Sequence, residues 1–159
     1  MLTQCKLRKL LNNSIWIVPC ETLQAYQVVN STITPVADQT VWKISAYMNG
    51  YIFGTSYAAI NGVPKSKTSI IGSITPYGDV LLSFYTDNNR TNGQGKFMKI
   101  KGENGEESWQ FVMQMNTLNT INEETIGLSH WSYMISVTSH DKLYYNLPSV
   151  GMSVPEFIS

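Results

Sequence analysis

Two histidines, His130 and His140, are the side chains of this 159-residue chain whose ordinary pKa lies nearest neutrality. His130 stands beside Trp131 in the stretch "GLSHWSYMIS". A histidine in this setting could transfer protons in a reaction, contact a ligand, or serve as a structural hydrogen-bonding group. The sequence leaves these three roles open for His130.

No metal site is predicted around the histidines. His140 follows His130 by ten residues. An extended chain rises about 3.3 Å per residue, so about 30 Å would separate the two rings, too far for one metal ion to bridge. His140 and Asp141 are expected to take part in a turn or a helix cap, and we predict neither a metal nor any other cofactor.

The remaining reactive side chains form no known catalytic pattern. The carboxylates are expected in turns, links and termini, so no pair spans a substrate as glycoside hydrolysis requires. Cys5 and Cys20 match no zinc or redox spacing and are expected to be free thiols. Asp38 and Gln39 in "PVADQTVW" are expected to bind backbone groups of a turn before a strand, with a polar contact at the mouth of a barrel as the alternative. No catalytic residue is therefore assigned, and acid–base catalysis by His130 stays a hypothesis.

The composition narrows the possible partners. Lysine and arginine number 11, and aspartate and glutamate also number 11, so the charge balance does not favour nucleic acid. No apolar run approaches the roughly 18 residues needed to cross a membrane. The N-terminus has a basic patch before an apolar stretch, as in a signal peptide, but polar residues 12–14 interrupt it. We expect a soluble, cytoplasmic protein without nucleic-acid or membrane partners, with secretion as the alternative.

Strand-like segments separated by turn signals dominate the chain from Val41 onward. Asn49-Gly50 joins "VWKISAYM" to "YIFGTSYAAI" and is typical of a type I′ hairpin, whose two central residues need positive φ. Two more hairpins join "KTSIIGSI" to "DVLLSFYT", with Pro76 in the turn, and "GQGKFMKIK" to "ESWQFVMQM". A polar link, "NTLNTINEETIG", precedes a seventh strand, "HWSYMISVT". "SIWIVP" and "LQAYQVV" add one or two strands, with Pro19 breaking the chain between them.

Eight or nine sequential strands predict an all-β, antiparallel up-and-down meander. We expect this meander to close into a barrel of about eight strands, because closure would leave no exposed edge strand. A β-sandwich is the alternative. We expect one domain, 1–159, in which 1–40 is an N-terminal strand and loop region and 139–159 a C-terminal packing tail. Short helices are expected in "LTQCKLRKLL" and "SHDKLYYNL". The tail would close a barrel end or dock a second subunit.

Over residues 41–137 the chain resembles the calycins, the superfamily of lipocalin-like and avidin-like barrels. The resemblance rests on the hairpin rhythm and on "GTSYAAI", "GSITPYGDVLLSF" and "ESWQF". It implies a meandering barrel that binds a small molecule in its mouth. It transfers no individual binding residue to this chain.

Alternation along the strands sorts aromatic from small side chains. In the last predicted strand Trp131 and Tyr133 share one face, while His130 and Ser132 share the other, so the role of His130 depends on which face is inward. Inward aromatic residues would either line a ligand cavity or fill a dry core. The candidate ligand-binding residues are Trp42, Tyr51, Phe53, Tyr57, Phe84, Trp109, Phe111, Met113, His130, Trp131 and Tyr133.

Three functions follow from this pattern. The first is a non-enzymatic barrel that binds a small, largely apolar or aromatic molecule. The second is an isomerase or cyclase that folds an apolar substrate in the same cavity, with His130 or a tyrosine as proton donor. The third is an interaction module that forms a homo-oligomer through an exposed aromatic patch or the tail.

Overall fold

The computed structural model describes residues 1–62, 64–121, 123–138 and 145–159, which form nine strands and two α-helices. The strands are β1 (Ser14–Ile17), β2 (Gln24–Val29), β3 (Thr32–Met48), β4 (Tyr51–Ile60), β5 (Ser66–Ile74), β6 (Asp79–Tyr85), β7 (Arg90–Lys101), β8 (Glu107–Ile121) and β9 (Glu124–Val137). The helices are α1 (Gln4–Leu11) and α2 (Val154–Phe157). None of the described helices is long and apolar enough to cross a membrane.

The strands close into an antiparallel barrel. From β3 to β9 each strand pairs with the next one in sequence, and both β1 and β2 pair with β3 on one side and β9 on the other. β1 and β2 therefore occupy the same place in the barrel, between β3 and β9. Counted together as one strand, they make an eight-stranded barrel. The predicted all-β meander of about eight strands is confirmed, and the sandwich alternative is excluded.

Two predicted turns have the expected geometry. At the β3–β4 hairpin, Asn49 and Gly50 have φ angles of 50° and 96°, as a type I′ turn requires. At the β5–β6 hairpin, the amide of Gly78 donates to the carbonyl oxygen of Thr75 at 3.0 Å, with Pro76 at the first central position. These two turns fix the register of four successive strands.

Several strands are longer than their apolar patterns predict. β3 begins at Thr32, inside the region expected to be strand and loop, and β7 begins at Arg90, inside a stretch that reads as a loop. The predicted polar link of residues 116–127 is wrong, because β8 and β9 extend through it as a hairpin. Thr91, Thr117 and Asn119 point inward on these extensions and line a cavity. Because these inward residues are polar, hydrophobic periodicity could not reveal the strands.

One half of the barrel interior is filled with aromatic side chains. Trp16 packs edge-on against Phe97 and Phe111, with ring centroids 5.7 and 4.8 Å away. Trp109 stacks on Phe97 at 5.1 Å. Edge-to-face and offset-stacked contacts of this kind add stability beyond area burial, by about 0.5–1.5 kcal/mol each. This half is a packed apolar core.

The N-terminal helix closes the aromatic end of the barrel, in agreement with the helix predicted there. The hydroxyl of Thr3 caps α1 by accepting from the amide of Lys6 at 3.2 Å. Leu7 and Leu11 lie four residues apart on one helical face, and both pack into the aromatic core. Asn12 then ties the helix end to β3, because its side-chain oxygen accepts from the amide of Tyr47 at 2.7 Å.

The C-terminal tail packs on the outer wall rather than over a barrel end. Val154 and Phe157 of α2 are buried against outward-facing apolar residues that include Ile17, Val41 and Tyr57. The amine of Lys65 donates to the carbonyl oxygens of Phe157 and Ser159 and holds the end of the tail. Most of the second predicted helix, including residues 139–144, lies outside the described residues.

Glycines allow neighbouring strands to approach closely inside the barrel. A Cβ on Gly95 would overlap the carbonyl oxygen of Val112 and lie 2.9 Å from the Cα of Met113. A Cβ on Gly127 of β9 would meet its nearest atom, the carbonyl oxygen of Thr117, at an ordinary 3.5 Å. The two glycines therefore differ in steric demand although both lie in strands.

We predict that Gly95→Ala lowers the free energy of unfolding by at least about 2 kcal/mol, because β7 and β8 must separate to admit the methyl group. Gly127→Ala is the matched control and should be neutral or slightly stabilising, since alanine reduces the entropy of the unfolded chain. Urea unfolding of both variants checks this. Equal effects would contradict the close approach at Gly95.

Candidate functional site

A cavity of about 240 Å³ opens at the end of the barrel opposite α1. Every strand from β3 to β9 contributes to its wall, so it is the mouth of the barrel. The lining residues are Asp38, Thr40, Trp42, Ser56, Ala58, Ile60, Ser66, Lys67, Thr68, Phe84, Thr86, Asn89, Thr91, Met115, Thr117, Asn119, Leu128 and His130. We call this space the mouth cavity.

The mouth cavity has an apolar floor and a polar wall. Trp42, Phe84 and Met115 are buried and separate the cavity from the aromatic core. The rings of Trp42 and Phe84 lie 5.4 Å apart and are tilted by 39°. Threonine, serine and asparagine side chains surround the space above this floor. Such a combination of apolar surface and a few polar groups is typical of small-molecule sites.

Trp42 has an unusual feature for a fully buried tryptophan. Its Nε1 has no hydrogen-bond partner among the protein groups that the structure describes, although the residue is 0% exposed. Trp16, which is also buried, donates from Nε1 to the hydroxyl of Ser14 at 2.8 Å. Buried indole N–H groups usually have a partner, so Trp42 is an exception among the buried tryptophans of the described chain.

The barrel wall is interrupted beside the mouth cavity. Ile17 of β1 pairs with Val41, and Gln24 of β2 pairs with Ala37, so the six residues 18–23 lie opposite only three residues, 38–40. As predicted, Pro19 prevents a continuous strand, and a 3-10 turn, Cys20–Thr22, follows it. Backbone groups in this segment cannot all join the sheet ladder, so they need other partners.

Side chains from β3 and β9 form hydrogen bonds with backbone groups of the interrupted segment, residues 18–23. The side-chain amide of Gln39 donates to the carbonyl oxygen of Val18 at 3.0 Å. Nε2 of His130 lies 2.6 Å from the carbonyl oxygen of Thr22. The hydroxyls of Thr22 and Ser132 lie 2.8 Å apart. Polar residues therefore replace sheet hydrogen bonds where the wall is broken.

His130 is held at both ring nitrogens. Nδ1 lies 3.0 Å from Oδ2 of Asp38, and Nε2 faces the carbonyl of Thr22. Asp38 also accepts a hydrogen bond at Oδ1 from the hydroxyl of Thr40 at 3.0 Å. A carbonyl can only accept, so Nε2 carries a proton, and the carboxylate favours a second proton on Nδ1. We call this arrangement the Asp38–His130–Thr22 bridge.

The electrostatics of the bridge favour a charged imidazolium. Burial lowers the pKa of His130, but the hydrogen bond that His130 donates to Asp38, the negative charge of Asp38 and the carbonyl of Thr22 together raise that pKa above its ordinary value. Because both nitrogens are engaged, neither is directed at a reacting group. The geometry gives His130 a structural role and does not support acid–base catalysis by this side chain.

The expected location of Asp38 is corrected by the structure. It lies within β3, not in a turn before a strand, and it is buried. It points into the barrel on the same face as Thr40 and Trp42. The placement of all carboxylates in turns, links and termini was therefore wrong at this position. The alternating inward residues Asp38, Thr40 and Trp42 are the pattern that could have revealed the longer strand.

The predicted ligand-binding residues separate into three groups. Trp42, Phe84 and His130 line the mouth cavity. Trp109, Phe111 and Met113 face inward but belong to the filled half of the barrel. The outward-facing residues are Tyr51, Phe53, Tyr57, Trp131 and Tyr133. The structure therefore brings together only the first three around the cavity.

Two of the outward-facing residues, Tyr57 and Trp131, lie in different places on the outer wall. Tyr57 packs beneath the C-terminal tail. Trp131 is 59% exposed and borders a groove on the outer wall, near the exposed residues Leu81 and Met98. The small polar face of β9 is the inward one, which places His130 and Ser132 inside.

Several cavity residues escaped the sequence analysis. Met115 lies on the predicted aromatic face of its strand but is not among the predicted ligand-binding residues, and neither are Thr40, Thr91 and Thr117. Threonine is common in strands, so nothing in its type distinguishes a cavity hydroxyl from one on the outer surface. The inward direction of these residues emerges only from the strand register.

Residues 1–62, 64–121, 123–138 and 145–159 contain no candidate metal site. No group of three or more histidine, cysteine, aspartate or glutamate side chains in these ranges is placed to hold an ion. Cys5 and Cys20 are exposed free thiols, as expected. His140 and Asp141 lie outside the described residues.

The chain matches no known family model, and the comparisons with curated proteins and with solved structures found no match either.

We predict that the pKa of His130 lies above the ordinary value of a histidine. Asp38→Asn should lower the pKa of His130, because the carboxylate no longer offsets the effect of burial. NMR titration of the His130 ring measures both values. Asp79→Asn is the control, since Asp79 pairs with Lys96 on the exposed surface and should not affect His130. An unchanged pKa in Asp38→Asn would contradict the bridge.

We also predict a pH-dependent contribution of the bridge to stability. His130→Gln should lower the free energy of unfolding by about 3–5 kcal/mol at pH values near 6, because it leaves Asp38 buried without its partner. The folded-state pKa is raised, so the contribution is complete below the unfolded value of about 6.5 and is lost as pH rises through the folded value. Urea unfolding between about pH 6 and 9 should show the two proteins converging. A constant difference would exclude this linkage.

Proposed function

We propose that this protein is a non-enzymatic barrel that binds a small, largely apolar or aromatic molecule in its mouth cavity. The observation that carries the proposal is the cavity lining, where Phe84 and Met115 keep a little exposed apolar surface at the floor, next to Trp42, and threonine, serine and asparagine side chains lie in the wall. An apolar ring placed there would leave water and contact both aromatic side chains. The threonine and asparagine side chains above would orient its polar edge.

The volume of the cavity limits the size of the ligand. At about 240 Å³ the space is smaller than the 300–1,000 Å³ that drug-sized ligands usually occupy. A single ring, or two small fused rings, suits it better than a long lipid chain. The aromatic core fills the barrel below the floor, so a ligand cannot extend towards α1.

The proposed relationship is to the calycins. The eight-stranded antiparallel barrel and a cavity at its mouth are compatible with that superfamily. Fold alone does not assign function, so the proposal rests on the residues of the cavity.

The geometry favours binding over the isomerase or cyclase alternative. That reaction would need a proton donor or acceptor facing the substrate. His130 borders the cavity, but Asp38 and the Thr22 carbonyl engage its two nitrogens. Tyr51, Tyr57 and Tyr133 point away from the cavity, so they supply no proton donor there.

We predict saturable binding of 2-naphthol, a compact aromatic fluorophore, to the unmodified protein. Ala58→Phe should weaken this binding at least about tenfold, because Ala58 lines the cavity and the added ring occupies the ligand volume. Fluorescence titration measures the affinity. Native mass spectrometry of the protein, purified without denaturation, would identify a molecule that co-purifies.

Leu118→Phe is the matched control, since Leu118 is exposed on β8 and its substitution adds a ring outside the barrel. It should bind 2-naphthol like the unmodified protein. Equal loss in both variants, or binding that Ala58→Phe does not affect, would refute the mouth cavity as the site.

A further inference from the structure

A second space lies on the outer wall of the barrel, beside the interrupted segment of residues 18–23. Its wall comes from the 3-10 turn and from β2, β8 and β9, and it measures about 610 Å³ and is open to solvent. Of its described lining, only His130 also borders the mouth cavity. Trp131 borders both this space and the groove described above. We call the space the outer depression.

Two exposed aromatic side chains occupy neighbouring positions in the outer depression. Tyr26 of β2 pairs with Ser129 of β9, and Trp131 is two residues further along β9 on the same outward face. Diagonal neighbours of this kind lie about 7–8 Å apart, so large side chains can hold a group between them. Tyr26 is 49% exposed and Trp131 is 59% exposed. The side-chain amide of Gln24 donates to the hydroxyl of Tyr26 at 2.9 Å and restricts its ring.

The unpaired charge of the outer depression is negative. Glu21 contributes a carboxylate, and the described lining contains no lysine or arginine. The ring of His130 is buried, and its positive charge faces Asp38. Burial raises the pKa of Tyr133, and the negative charge of Glu21 and a hydrogen bond to it raise that pKa further. The carboxylate therefore lies beside Tyr133, the next outward residue of β9 after Trp131.

We propose that the outer depression binds the quaternary ammonium group of a small soluble molecule, with Tyr26 and Trp131 on either side of the cation. Aromatic faces attract such a cation when it lies within about 6 Å of the ring centroid, and tryptophan attracts it most strongly. Glu21 adds attraction of the opposite charge. The site is separate from the mouth cavity, so this inference does not rest on the proposed function.

The other residues of the outer depression define the rest of the ligand. Gln24, Gln114 and Asn116 place amide groups around the two rings. A purely apolar molecule would take these amides out of water without giving them hydrogen bonds. A cation with a short polar chain can bond to them, because an amide side chain both donates and accepts.

Two probes of the same shape separate charge from apolar burial. Choline carries a quaternary nitrogen, and 3,3-dimethylbutan-1-ol has a carbon atom in its place and no charge. We expect choline to bind at least about tenfold more tightly, because only the cation gains from the aromatic faces and the carboxylate. NMR titration of the unmodified protein measures both affinities.

The indole signals report where choline binds. The chain has four tryptophans, so its nitrogen–proton spectrum should contain four indole signals. Choline should shift the signal of Trp131. The signal of Trp42 should stay in place, because that side chain is fully buried inside the barrel.

Two pairs of variants test the residues of the site. Trp131→Leu should weaken choline binding at least about fivefold. Tyr51→Leu is its control, since Tyr51 is 55% exposed on β4, outside the described lining of the depression. Glu21→Gln should weaken binding of choline but not of 3,3-dimethylbutan-1-ol. Glu103→Gln, in the exposed β7–β8 turn, should change neither affinity.

The outcomes decide the inference separately from the proposed function. Absence of choline binding, or equal affinity for the two probes, would overturn it. Equal effects of Trp131→Leu and Tyr51→Leu would exclude the outer depression as the site. Ala58→Phe, which fills the mouth cavity, should leave choline binding unchanged.

Vesicles of phosphatidylcholine present the same cationic group on a lipid surface. They should not sediment the protein, because polar amides surround the two rings and no apolar side chain of the described lining is placed to enter a bilayer beside them. Sedimentation with the vesicles, without binding of free choline, would show that the ligand is a lipid and that a soluble ligand is wrong.

Discussion

The Asp38–His130–Thr22 bridge is the interaction on which the mouth of this barrel depends. It joins β3 and β9 across the segment where the wall strand between them is interrupted. A buried aspartate alone would be costly, but here its two oxygens receive hydrogen bonds and a positive charge lies beside it. The same bridge explains why His130 does not act on a ligand, since the wall uses both of its nitrogens.

The barrel therefore has two halves with different physical roles. In the half closed by α1, aromatic rings fill the interior, and glycines such as Gly95 let the strands approach. In the open half, many of the inward side chains are threonine, serine or alanine, and these short side chains leave space above Trp42 and Phe84. An eight-stranded barrel is just wide enough for either arrangement, and the change from large to small inward residues determines where the cavity lies.

The same division separates the strands that the sequence predicts from those that it does not. Strands with large apolar residues, such as β4 and β6, were located closely, and their turns carried clear signals. The ends of β3, β7, β8 and β9 were missed because residues lining a polar cavity lack hydrophobic alternation. Trp42 and Phe84 were selected by type, but Asp38 was assigned to a turn. Its partner His130 lies 92 residues away in sequence, a contact that only the barrel register creates.

The central claim is that the polar half of the barrel holds a compact ligand against the Trp42 and Phe84 floor while the bridge keeps the wall intact. A crystal structure of the protein, purified at neutral pH without ligand removal, tests it most directly. We expect density for a small molecule in the mouth cavity, with His130 contacting both Asp38 and Thr22. Inward side chains that collapse into the mouth and fill it, with no bound molecule, would contradict the claim.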